Sequence, residues 1–167
     1  MAKFLKRDQA TGTIQEESTV TVSAGAADVG KAASLDAAGK LDPSVMPVGI
    51  GADTQSAVAS EALAANDLIN FHNVAGVLNM RKADKTNGRA AMGFVKAAVA
   101  NAASGVAFLE GALPALARAP GARQYLDTAG GVTEAPATAA GHLHQYIGNA
   151  LTATSINFEA DDPILLA

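Results

Sequence analysis

The hydrophobic and polar positions divide the chain at about Pro47. Up to that point large apolar residues recur at neither helical nor strand period, apart from Thr19-Val20-Thr21-Val22, and the stretch is rich in Thr, Ser, Ala and Gly. This pattern predicts an extended N-terminal arm over 1–47 with one short strand. Its last part, Ala33 to Pro47, holds a glycine turn and two prolines that lack backbone donors, so an extended path is expected there. From Val48 onward, turn residues arrive at short intervals between strand-length runs carrying Val, Ile, Phe and Tyr. Residues 48–167 are therefore expected to be mainly β, a small barrel or sandwich.

Individual elements follow from the same pattern. Leu68–His72, a turn over Asn73–Gly76 and Val77–Arg81 read as a hairpin, preceded by the turn pair Asn66-Asp67. Ala83–Gly88 is polar and loop-like. Met92–Val99, a turn over Asn101–Gly105 with Gly105 at its end, and Val106–Leu109 read as a second hairpin. Prolines at both ends make Ala112–Pro120 a loop or short helical turn. Strands resume at Gln124–Asp127, before a turn over Thr128–Gly131, then at His142–Ile147, ended by Gly148, and at Thr152–Phe158 and Pro163–Leu166. Gln55–Ala65 stays open between a helix, on propensity, and an edge strand.

Of the 167 residues 49% are hydrophobic but only 4% aromatic, with no Trp, so much of the apolar count is alanine. A large side chain contributes roughly 1.5–3 kcal/mol on burial and alanine far less. Modest stability in isolation is thus expected, with association supplying the remainder. The net charge of −4 is dispersed, and the basic cluster Lys3, Lys6 and Arg7 is too small for a nucleic-acid footprint. Without cysteine there are no disulfides, thiolate metal sites or cysteine nucleophiles. No apolar run approaches the roughly 18–20 residues of a membrane span, so no membrane association is expected.

The residues that carry chemistry elsewhere have ordinary readings here. His142 and His144 share a strand phase, and His72 or Asp127 would have to complete a metal site; partly exposed or interface histidines are the simpler reading. Asp161-Asp162 precedes Pro163 and an apolar tail, where a calcium loop would need six to eight oxygens. Gly49-Ile50-Gly51 lacks the rest of a phosphate loop, and no Gly-x-Ser-x-Gly elbow occurs. Pairs such as Glu61 with Asp67, or Glu110 with Asp127, carry no weight without a pocket. Neither a cofactor nor an enzyme activity is expected.

An ordered series of segments resembles the small head decoration, or capsid cement, proteins of tailed bacteriophages. It comprises Met1–Asp8, the phrase Leu35-Asp36-Ala37-Ala38-Gly39-Lys40-Leu41-Asp42-Pro43-Ser44-Val45-Met46-Pro47, Ala65–Phe71, Arg81–Asp84, Gly93–Val95, Tyr125–Thr133 and Gly141–Leu151. Where the family pattern has Gly-Asp this chain has Asn66-Asp67, and asparagine tolerates the same positive φ. The resemblance implies a β-rich domain with an arm, trimers on the outer face of the assembled head, the major capsid protein as partner, and assembly in the host cytoplasm. The capsid-binding residues it suggests are Lys3, Phe4, Leu5, Lys6 and Arg7 as a basic hook with apolar anchors, and Leu41, Pro43, Met46 and Pro47 farther along the arm. The Gly39–Pro43 phrase also occurs in phage tail and fibre proteins, so a tail, baseplate or fibre component is the alternative. A carbohydrate-binding adhesion module is a third reading, disfavoured by the scarcity of Trp and Tyr.

Overall fold

A computed structural model describes residues 3–8, 10–46, 52–115 and 117–167. The chain falls into two compact units, 1–51 and 52–167.

In the second unit, β3 (Thr54–Ala59), β4 (Leu68–Val74), β5 (Val77–Lys82), β6 (Gly93–Val95) and β7 (Ser104–Phe108) close a barrel in the order β3-β5-β4-β6-β7. Closure is made by β3, which runs parallel to β5 and antiparallel to β7. Gln55–Ala65 thus resolves as strand and loop, with Leu63 bridged to Val99. The β4–β5 hairpin turns at Ala75-Gly76, both at positive φ (51° and 85°), as a two-residue turn matched to strand twist requires. Asn73 Oδ1 accepts the Gly76 N–H at 2.9 Å and fixes it. Asn66 has φ 70°, the left-handed conformation anticipated for it.

Beside the barrel lies a five-stranded antiparallel sheet ordered β10-β9-β12-β13-β8. Its strands are β8 (Gly111–Pro114), β9 (Arg123–Leu126), β10 (Val132–Thr133), β12 (Tyr146–Thr152) and β13 (Ser155–Phe158). A short pair, β11 (Leu143–His144) with β14 (Ile164–Leu165), completes the unit.

The barrel wall is apolar on both sides, and this explains the runs of consecutive buried residues along its strands. Leu68 and Phe94 pack outward with Leu113, Leu126, Ile147, Ile156 and Phe158 of the sheet. Their neighbours Ile69 and Val95 point inward to Ala59, Met80 and Ala107. Phe94 ties barrel to sheet, its ring 5.6 Å from Phe108 and 5.4 Å from Phe158.

Three expectations are corrected. Gly111–Pro114 is a strand, not a loop; Leu113 is buried, and Pro114 is tolerated because β8 is an edge strand. Gly105 lies within β7 instead of ending a turn: a Cβ there would come within 2.6 Å of Val99 Cγ2 and 2.8 Å of Met80 Cε, so the barrel needs a glycine at this point. Gly148 does not end a strand either. It is buried inside β12 at φ 144°, where a Cβ would collide with the Asn157 carbonyl oxygen of β13.

The first unit, expected to be an extended arm with a strand at Thr19–Val22, holds an antiparallel hairpin of β1 (Lys3–Arg7) and β2 (Ile14–Ser18). Asp8 holds its turn by accepting the N–H groups of Ala10 (2.8 Å) and Thr11 (3.2 Å), which keep its carboxyl below the ordinary carboxylate range. The Thr19–Val22 stretch contributes a single bridge, Val20 to Ala33. Two 3-10 turns follow, at Gly25–Asp28 and Pro43–Val45.

Candidate docking surface

No described residue of the first unit is buried. Folding of this unit leaves many of its large apolar side chains in water: Leu5 and Ile14 are each 71% exposed and Val29 82%, with Val22, Leu35 and Leu41 also exposed. Directly opposed residues of an antiparallel pair share a face. Through the register Leu5↔Glu16 and Arg7↔Ile14, Leu5 and Ile14 therefore lie on one face of the hairpin, with Arg7 and Glu16.

The same register redistributes the basic cluster. Lys3 Nζ is 2.7 Å from Glu16 and Lys6 Nζ 3.8 Å from Glu17. Across the hairpin, the cations Lys3, Lys6 and Arg7 are matched in number by the anions Asp8, Glu16 and Glu17. The hairpin thus presents Leu5 and Ile14 on a face that also carries charged side chains, with Lys3 and Lys6 each beside a glutamate. Phe4, on the opposite face, is half-buried.

The downstream part of the segment is ordered by its own carboxylates. Asp36 Oδ1 accepts the N–H groups of Ala38 (2.8 Å) and Lys40 (2.9 Å) and shapes the turn through Gly39, at φ 73°. Asp42 Oδ1 accepts the Ser44 N–H at 2.9 Å, and with the Ser44 hydroxyl this lowers the Asp42 pKa. The Ser44 hydroxyl in turn accepts the Ser23 N–H at 2.8 Å, tying Leu41 and Met46 to the segment around Val22. Leu41 is exposed and Met46 half-buried. Pro43 occupies the second 3-10 turn, and Pro47 lies outside the described residues, as does Gly49-Ile50-Gly51.

The titratable residues of the second unit serve its own architecture. Asp127 forms an ion pair with Lys85 at 2.7 Å, which holds its carboxyl below the usual range. Glu61 accepts the Lys82 N–H at 3.0 Å and lies 3.4 Å from Arg89, while Asp67 accepts the Ala64 N–H and lies 3.3 Å from Lys82. His72 sits by Ser60 Oγ at 3.3 Å. His144 packs its ring on Tyr125, centroids 5.3 Å apart, while His142 precedes β11. Among the described residues no three His, Asp or Glu side chains converge as a metal site would require.

Two polar residues that the sequence pattern did not single out prove central. Gln145 is buried between barrel and sheet. It accepts the Ala91 N–H (2.8 Å) and donates to the carbonyls of Ala91 and Asp161 (both 2.9 Å), standing in for a missing strand. Asn70 donates to the Ala90 carbonyl and accepts from Arg81 Nε. A signal was present for the first: Gln145 occupies the inward phase shared by Leu143 and Ile147.

No protein-family model matches the chain. No curated protein matches it either. Among solved structures it is similar to the head fiber gp8.5 N base in bacteriophage phi29, at 12% identity and a TM-score of 0.44 over 65% of this chain and 95% of that one.

Proposed function

We propose that this protein is a virion structural component of a tailed phage, a decoration protein that docks on the outer face of the assembled head through its first unit and acts without catalysis. The single observation carrying this reading is a unit that has no buried residue among those described and displays Leu5, Ile14, Val22, Val29 and Leu35. A segment of this length with no core of its own gains its apolar burial from a partner. The resemblance of segments spread along the chain to capsid cement proteins supplies the identity of that partner, the major capsid protein, and the trimer. Three hairpins engaging one shell raise effective affinity without new contacts. Binding to the assembled shell and not to separate subunits stabilises the shell by mass action.

The docking chemistry in this reading is mainly apolar, because Lys3 and Lys6 are matched by Glu16 and Glu17 within the hairpin. Replacing both anchors in the full chain, Leu5→Ser with Ile14→Ser, is the test. If each anchor contributes about 1.5–3 kcal/mol on burial, affinity for empty heads falls at least about 100-fold in a co-sedimentation titration. Both residues are exposed in the isolated chain, so the unfolding midpoint of the second unit stays unchanged. Undiminished sedimentation with heads would refute docking through this face. The tail, baseplate or fibre reading is favoured by one feature, the Gly39–Pro43 phrase; it predicts binding to tubes or baseplates and none to heads.

A further inference from the structure

The two tyrosines of the chain stand side by side on the outer face of the five-stranded sheet. Tyr125 of β9 and Tyr146 of β12 are directly opposed in register, ring centroids 6.2 Å apart and nearly perpendicular, and His144 extends the platform. All three are only half-buried, and among the described residues neither tyrosine hydroxyl has a hydrogen-bond partner. Polar groups of several kinds line the groove around them: Arg123 opposite Asn149, two register pairs along and past a β-bulge, and the carboxylates of Asp161 and Asp162. The backbone holds the acidic segment alongside β12, with Asp161 N–H donating to the Tyr146 carbonyl at 3.0 Å and Glu159 N–H to that of Ile147 at 2.8 Å. The groove encloses about 390 Å³, within the roughly 300–1,000 Å³ of small-ligand clefts.

We propose that this groove is a saccharide-binding site, accepting a neutral or N-acetylated pyranose whose apolar ring face stacks on the Tyr125–Tyr146–His144 platform. Adjacent sugar hydroxyls need donors and acceptors side by side, which Arg123, Asn149, Asp161 and Asp162 supply. Other ligand classes fit less well. Two carboxylates beside one arginine repel phosphates, and the apolar lining, Ile164 apart from the aromatic rings, is too small to desolvate a lipid or a peptide anchor. Few aromatics in the composition argued against sugar binding, but folding places both tyrosines in one site. The proposal does not depend on the docking reading, since it concerns the second unit alone.

The test is an NMR titration of the full chain, labelled at tyrosine rings, with maltotetraose, cellotetraose, the β-1,4-linked tetramer of N-acetylglucosamine, and inorganic phosphate as control. With two tyrosines there are two ring signals, assigned by Tyr125→Phe. At least one oligosaccharide is expected to shift both signals saturably, with a Kd of about 0.1–1 mM. Tyr146→Ala should weaken binding at least about tenfold, and so should Asn149→Ala, an exposed site whose change leaves the unfolding midpoint in place. Unmoved ring signals with all three sugars in the millimolar range, saturable shifts with phosphate alone, or undiminished binding in both variants would each overturn the proposal.

Discussion

Phe94 is the residue on which barrel and sheet depend together: fully buried, it meets Phe108 on one side and Phe158 on the other. Phe94→Ala should cost about 3–5 kcal/mol, the range for truncating a buried aromatic, measured by urea unfolding. That is a large share of the roughly 5–15 kcal/mol that holds a domain folded. His72 gives a pH signature of known sign. Burial, and then the positive charges of Arg81 and Arg89, hold its pKa below the ordinary histidine value of 6.5, opposed by Glu61. The folded state binds the proton less readily than the unfolded one, so this contribution to stability is complete above pH 6.5 and is lost as pH falls toward the depressed value. Unfolding midpoints should drop on acidification through that window, and His72→Gln should flatten the drop.

At the scale of elements, the pairing of barrel with sheet rests on polar as well as apolar contacts. Gln145→Ala removes one acceptor and two donors and leaves the buried Ala91 N–H and carbonyl without partners, a loss of about 1–3 kcal/mol for each group left unsatisfied. Hydrogen exchange should show Ala91 losing protection while the β4–β5 hairpin keeps it. That hairpin was legible in the sequence, because its turn chemistry and apolar runs are local, although Asn73 and Val74, read as turn, extend β4. Less legible were elements decided by distant neighbours. Gly105 and Gly148 look like turn residues until Val99 and Met80, or the Asn157 carbonyl, are placed against them. Consecutive apolar pairs such as Leu68-Ile69 and Phe94-Val95 signal a wall buried on both faces, yet nothing local says what covers the outer one. The charged residues of the first hairpin were legible as types but not as pairs, since Lys3 and Glu16 meet only through its register.

For the whole molecule, the two units differ in what sustains them. Residues 52–167 contain both hydrophobic clusters, whereas 1–51 has none among its described residues. Such a division suits a folded body attached to a partner by a segment that completes its burial there. Because the hairpin charges are balanced internally, attachment should weaken little between low and moderate salt, unlike a surface contact built on unpaired charges. Decoration of an assembled shell is tested most directly by the mass of the purified full chain in light scattering, followed by co-sedimentation with expanded empty phage heads and with tail tubes. A mass of three chains, with pelleting on heads and not on tubes, is the predicted result. A monomer that ignores heads and pellets with tubes would contradict it.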